Sequence, residues 1–189
     1  MSTPAFIQPP SNLMLLPPGR EPPHRIDAIV EIQQGGSNKY EYDPKCGLFR
    51  LDRVLFSAVH YPMAYGFIPG TLADDGDPLD ILVMTRTPTF TGCIIEASPI
   101  GVFRMQDEKG EDEKIIAIPV VDPRYTEIKS LEDMRPHYLR EIEHFFSIYK
   151  DLEGKPVNIR GWEGRQGAYD AITESIERFQ VTQKAQSEE

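Results

Sequence analysis

Between residues 26 and 121 every β-prone run is short and is closed by turn residues before it can lengthen. Ile26 to Ile32 is apolar except for Asp27 and Glu31, the composition of a mostly buried strand. Gly35-Gly36-Ser37-Asn38 reads as a turn. Lys39-Tyr40-Glu41-Tyr42 then alternates, with Lys39 and Glu41 on one face and the tyrosines on the other. Runs at 48–55, 81–84, 93–96, 100–103 and 114–121 continue the series, punctuated by Pro88, Gly92, Pro99 and Gly110. Strands this short and this evenly broken argue for a sandwich or a barrel and against a parallel α/β sheet.

The last third changes period. Tyr138, Leu139, Ile142, Phe145, Phe146 and Tyr149 recur at three- and four-residue steps, one apolar stripe along a helix. Pro136 suits its first turn, and Gly154 with Pro156 ends it. A second helix is expected over 166–180, with Ala168, Ile172, Ile176 and Phe179 facing inward. Residues 1–25 hold seven of the 17 prolines and form an arm that is neither helix nor interior strand. It is either mobile or pinned along the body by Leu13 to Leu16. Residues 26–180 read as a single domain, and 181–189 as a polar, frayed tail.

Composition excludes several classes. Forty per cent of the chain is hydrophobic, enough for a real core. The net charge of −10 repels phosphate backbones, so a nucleic-acid partner is not expected. No stretch approaches the roughly 20 apolar residues that span a bilayer, and the first basic residue, Arg20, follows rather than precedes the apolar Leu13-Met14-Leu15-Leu16, the wrong order for a secretory signal. Two cysteines, Cys46 and Cys93, make no disulfide framework and fit a reducing compartment. The expectation is a soluble, cytoplasmic protein with no membrane partner.

The acids are concentrated. Asp74-Asp75-Gly76-Asp77-Pro78-Leu79-Asp80 carries four carboxylates in seven residues, and residues 107–114 carry five more. The second segment has the ordinary composition of a charged hairpin. The first runs directly into the apolar residues 81–84, so Asp80 stands at the lip of a buried strand, where an unpaired charge is costly. Two carboxylates ~4 Å apart repel by roughly 4 kcal/mol at an effective dielectric near 20, so a fold that gathers these groups needs compensating cations, protons or separation by water. Residues 75–80, fully extended, would hold their end carboxylates about 16 Å apart; Gly76 and Pro78 permit a bend that brings Asp75 back towards Asp80. All-oxygen ligation of this kind suits Mg²⁺ or Mn²⁺ ahead of zinc.

Competing motifs fail. An EF-hand loop starting at Asp75 would need Gly at its sixth position and Glu at its twelfth but finds Asp80 and Arg86. His24, His60, His137 and His144 lack zinc-ligand spacing and read as structural or surface residues. No Gly-x-Ser-x-Gly elbow and no Walker A sequence occurs. Lys39, Arg53, Lys114 and Lys150 each stand in or beside an element end, near a tyrosine or an acid, as a polyphosphate ligand would require. Acids to hold metals, bases to hold phosphates and no evident nucleophilic side chain together point to metal-activated water attacking a phosphoryl group.

Asp75-Gly76-Asp77-Pro78-Leu79-Asp80 resembles the signature of the family I soluble inorganic pyrophosphatases of bacterial type. The likeness takes in Glu31, Lys39-Tyr40-Glu41, Asp52-Arg53, Tyr61-Pro62, Tyr65-Gly66, residues 107–114, Phe145-Phe146, residues 149–153 and Gly161-Trp162-Glu163, and so covers about residues 20–180. It implies a mainly β fold, a closed five-stranded OB-type barrel with two C-terminal helices, and hydrolysis of pyrophosphate to two orthophosphates. Asp75, Asp80 and Asp112 match ligands of the tighter metal, and Asp80 also reaches the second; between these ions the attacking water is held. Asp77 matches the carboxylate that takes the water's proton. Asp107 and Asp112 match ligands of further Mg²⁺ ions, with Glu31 acting through water. Lys39, Arg53, Tyr65, Lys114, Tyr149 and Lys150 match phosphate-binding groups, and Glu41 and Tyr61 match lining positions. The resemblance also implies several Mg²⁺ per site, Mn²⁺ as a substitute, inhibition by Ca²⁺, and a homohexamer. Two other readings use the same acids: a two-metal phosphohydrolase of nucleotides, and a non-catalytic OB-fold or Ca²⁺-binding module. The first would prefer nucleoside triphosphate to pyrophosphate; the second would bind Ca²⁺ without turnover under any metal.

Overall fold

The computed structural model of the chain describes residues 12–187; what the sequence suggests for residues 1–11 and 188–189 lies outside them. In chain order the elements are β1 (Ile26–Ile32), β2 (Asn38–Asp43), β3 (Leu48–Val54), β4 (Ala64–Phe67), β5 (Asp80–Val83), β6 (Ile94–Asp107), β7 (Gly110–Pro119), α1 (Pro136–Ile148), β8 (Asn158–Gly164) and α2 (Arg165–Ser187). Strands β1, β4, β5, β7 and β6 follow one another around a sheet that closes on itself, because β1 also pairs with β6. Closure removes the exposed edges that an open sheet would present. Strand β8 extends the ring outward from β6, and β2 with β3 forms a separate ribbon. The ring is antiparallel except between β5 and β7.

Both faces of β5 and β7 are covered, which is why their sequences are continuous apolar runs and not alternations. Leu82, Ile116 and Ile118 pack with Ile142, Phe145 and Phe146 of α1. Their neighbours Ile81, Val83, Ile115 and Ala117 turn the other way and pack with Ala168, Ala171 and Ile172 of α2. Fully burying such aliphatic side chains contributes about 1.5–3 kcal/mol each, so the central strands anchor whatever their ends carry.

The structure corrects several local expectations. Runs 93–96 and 100–103 are one 14-residue strand, β6. It passes through Pro99, which falls at a register irregularity between Pro99 and Gly101, a place where a missing N–H is tolerated. Strands β4 and β8 carry no clear alternation and were not expected. Gly66 of β4 has no room for a Cβ, which would lie 1.9 Å from the Ile29 carbonyl oxygen. Tyr138, placed on the α1 stripe, is exposed. Helix α2 continues past Gln180 to Ser187, and along it Ser175 is buried while Phe179 is only half-buried. Of the two alternatives for the arm, residues 12–18 take the pinned one. A single 3₁₀ turn, Leu13–Leu15, sets Leu13, Met14 and Leu16 against Ile29, Tyr42 and Phe67. The Leu13 N–H donates to the Tyr42 hydroxyl at 3.0 Å.

Candidate active site

The first acidic segment forms a tight turn over residues 73–77. The Ala73 N–H donates to the Asp77 carbonyl at 2.7 Å and the Gly76 N–H to the Ala73 carbonyl at 3.2 Å. Gly76 adopts φ 90°, a left-handed conformation that a residue with a side chain rarely takes. The Asp77 N–H donates to Asp75 Oδ1 at 3.1 Å, so the two carboxylates sit on one turn. Below them, buried Thr71 Oγ1 accepts from the Leu79 N–H at 3.0 Å, and Leu79 enters the core. Asp80 follows as the first residue of β5. Helix α2 braces the other side of the loop: Arg178 Nη1 donates to the Leu72 carbonyl at 2.6 Å, and Nη2 pairs with Asp74 at 2.8 Å.

Parallel pairing of β5 with β7 sets Asp80 opposite Lys114. Asp112, two residues earlier on β7, shares a face with Lys114 because strand side chains alternate. The Lys114 ammonium, 2 % exposed, therefore lies between two carboxylates, donating to Asp80 Oδ2 at 2.7 Å and to Asp112 Oδ1 and Oδ2 at 2.8 and 2.9 Å. Burial alone would drive Lys114 down, but Asp112 and Asp80 outweigh it and hold the ammonium well above the usual lysine range. The Tyr65 hydroxyl, carried by β4, donates to Asp80 Oδ2. Burial raises Tyr65 and Tyr149, so both phenols stay protonated as donors.

The second acidic segment is a hairpin: Asp107 pairs with Gly110 across the β6–β7 turn. Buried Lys150, just beyond α1, donates to Asp107 Oδ2 at 2.7 Å and to Glu108 Oε2 at 3.0 Å. Burial works against an ionised Asp107, yet Lys150 and the Lys109 N–H hold its carboxyl below the usual range. Glu108, similarly held by Lys150 and Lys155 against the effect of burial, falls to about 2. From the tip, Lys109 reaches across to the other acidic segment, with Nζ 3.0 Å from Asp77 Oδ2 and 3.9 Å from Asp75 Oδ2. On the ribbon, Lys39 of β2 stands opposite Arg53 of β3, a like-charge juxtaposition that is unfavourable without an anion nearby. Lys39 pairs with Glu41, and Arg53 Nη1 donates to Glu153 Oε2 at 3.2 Å. Glu31 is buried and accepts from the Tyr42 N–H at 2.9 Å; burial pushes its carboxyl up to about 8.

Every side chain that the sequence singled out lines one cavity of about 390 Å³: Asp75, Asp77, Asp80, Asp107, Asp112, Glu31, Lys39, Arg53, Tyr65, Lys114, Tyr149, Lys150, Glu41 and Tyr61. None of the histidines does. The cavity also takes in Glu108, Lys109, Lys155 and Arg178, to which the sequence assigned no site role. Glu108 and Lys109 could have been found from the turn, since the residues between two paired strands share the tip with Asp107. Lys155 and Arg178 had no such signal. Among the described residues no three carboxylate, histidine or cysteine side chains converge as a ready ligand group; acids and ammonium groups are interleaved. The donors nevertheless fit hard divalent cations, because those facing the cavity between the loop and β7 are all carboxylate oxygens, with no thiolate or imidazole among them.

This arrangement has close relatives. The sequence model described as inorganic pyrophosphatase matches residues 28–180. The inorganic pyrophosphatase of Geobacillus stearothermophilus is 51% identical over 154 residues, covering 82% of this chain and 93% of that protein. The chain belongs to the inorganic pyrophosphatase family. An inorganic pyrophosphatase of a Nostoc species is 49% identical over 162 residues, covering 86% of this chain and 96% of its own. The crystal structure of inorganic pyrophosphatase from Thermus thermophilus superposes with a TM-score of 0.87 at 42% identity, covering 89% of this chain and 99% of that one. The mainly β ring of five strands with two C-terminal helices is thus the fold of that family.

Proposed function

We propose that the chain hydrolyses pyrophosphate to two orthophosphates, with residues 26–180 as the catalytic unit. The observation that carries this is one cavity lined by both carboxylates and cations: Asp75, Asp77, Asp80 and Asp112 among the first, Lys39, Arg53, Lys150 and the shared Lys114 among the second. Asp75, Asp80 and Asp112 would hold divalent ions, Mg²⁺ with Mn²⁺ as a substitute, and Asp107 and Glu31 would support further ones. When bound, such ions polarise phosphoryl oxygens and lower the pKa of water.

The chain's own groups do the rest. Asp77, exposed at the turn and free of any buried lysine, is placed to accept the proton of the attacking water. Lys39 and Arg53, set side by side on the ribbon, neutralise the oxygens of one phosphate; Lys150, Tyr149, Lys114 and Tyr65 donate to those of the other and stabilise the departing phosphate. Glu41 orients Lys39, and Tyr61 packs beneath Tyr65 with ring centroids 5.2 Å apart. Ca²⁺, larger and more tolerant of irregular coordination, would occupy the same carboxylates without aligning the reactants, and so inhibit. We also read the protein as cytoplasmic and homohexameric. No helix among the described residues is long and apolar enough to cross a membrane. The test is phosphate release from Mg-pyrophosphate with and without chelator. Chelator-sensitive release is expected; no release, or faster release from a nucleoside triphosphate, would sink the reading.

A further inference from the structure

The geometry points to Lys109 as a tethered counter-ion of the Asp75–Asp77 turn that opposes a divalent cation at Asp75, and so sets how tightly the substrate-free protein binds such ions. The inference rests on the metal-binding part of the function proposed above and concerns a lysine that has no part in the proton transfer or phosphate contacts given there. Lys109 belongs to the hairpin, not to the loop that it touches. Its backbone N–H donates to Asp107 Oδ1 at 2.8 Å, and Asp107 is itself held by buried Lys150. The tether is therefore fixed by a rigid pair. Its ammonium, on a side chain 61% exposed, crosses to Asp77 Oδ2 at 3.0 Å and Asp75 Oδ2 at 3.9 Å. Lys114, Lys150 and Lys155 pair with Asp80, Asp112, Asp107 and Glu108, whereas Lys109 pairs with the 74–77 loop.

Two carboxylates on one tight turn repel, and something positive must relieve them. In the protein alone that charge is Lys109. A divalent ion approaching Asp75 meets an ammonium that cannot diffuse away. Because both partners are solvated, the pair is weak, so it tunes affinity without blocking the site. Lys114 does not act this way: it is fully buried between its partners and its removal would disturb the fold.

The test is Mn²⁺ titration of the substrate-free protein, followed by calorimetry and by the paramagnetic resonance signal of free Mn²⁺. Lys109→Gln, which keeps a polar side chain and removes the charge, should lower the Mn²⁺ dissociation constant roughly three- to tenfold, and Lys109→Arg should stay within about twofold of the parent. A Gln variant indistinguishable from the parent would overturn the inference, as would equal tightening by Gln and Arg. Phosphate release from Mg-pyrophosphate is measured on the same samples. A parent that binds Mn²⁺ but releases no phosphate removes the proposed reaction while the Lys109 comparison stands. An active parent with an unchanged Gln variant removes only Lys109, and a parent that binds no Mn²⁺ removes both.

Discussion

Asp107 and Asp112 on the hairpin side rest against ammonium groups that are almost wholly buried, Lys150 at 2.7 Å and Lys114 at 2.8 Å. Asp74, Asp75 and Asp77 in the preceding loop pair with Arg178 and Lys109, which remain substantially exposed. The two segments look alike as strings of acids, but their charges belong to different energetic classes. A desolvated pair is costly to break, because either partner left alone is a buried, unbalanced charge. A solvated pair can be exchanged for another cation at little expense. One wall of the cavity is therefore fixed by the fold, and the other stays available for exchange.

The largest effect that can break this distinction comes from Lys114→Met. It leaves Asp80 and Asp112 facing each other without a cation and should destabilise the protein by about 3–5 kcal/mol, a fall on the order of 10 °C in the unfolding midpoint for a chain of this size, with loss of turnover. Lys109→Met should stay within about 0.5 kcal/mol of the parent. Equal shifts for the two, measured calorimetrically with chelator present, would erase the contrast. Next comes Asp77→Asn, on the exchangeable wall. Turnover of pyrophosphate should fall by roughly 10²–10⁴ while the unfolding midpoint stays put. A variant near the parental rate would remove Asp77 as the base.

Glu31 sharpens the comparison by pH. Burial lifts its carboxyl from 4.5 to about 8 in the folded protein, so between those values the unfolded chain releases a proton that the folded one keeps. Stability owed to this group is thus present below about pH 4.5 and is lost progressively as pH rises towards 8. Glu31→Gln, neutral throughout, should gain on the parent by a few kcal/mol across that interval. Denaturant midpoints of both proteins at pH 5 and pH 8, in chelator, read the gain directly. A constant difference between the two proteins would show that Glu31 is charged in the fold.

The central strands were legible as continuous apolar runs, and both helices because apolar residues repeat with the helical period: Ile142, Phe145 and Phe146 on α1, Ala168 and Ile172 on α2. Strand β4 was not, since Ala64-Tyr65-Gly66-Phe67 is buried on all sides and too short for a period to register. Pro99 misled because a proline normally interrupts a ladder, and here it falls at a register irregularity between β6 and β7 that accommodates it. The site residues came largely from the likeness at residues 75–80 and the stations that follow it. What that likeness could not convey was partnership. That Lys114 binds two acids and Arg53 meets Glu153, a hundred residues away in sequence, depends on the closure of the ring and the placing of the ribbon.

The smallest effect concerns how the exchangeable loop is braced. Arg178 on α2 donates to the Leu72 carbonyl and pairs with Asp74, while the Leu72 N–H donates to the Ser175 carbonyl at 3.0 Å. Helix and loop therefore hold each other just ahead of Asp75. Arg178→Ala removes one hydrogen bond to a carbonyl and one exposed ion pair, together about 1 kcal/mol, or 2–4 °C in the midpoint. The more telling readout is local. Amide exchange should quicken at Ala73 and Asp77, where the turn's own bonds lie, and stay unchanged at Ile115 and Ile116 on β7. If exchange quickened equally at both places, the loop and the hairpin wall would be one mechanical unit, and the difference between fixed and exchangeable charge would have to come from somewhere other than bracing.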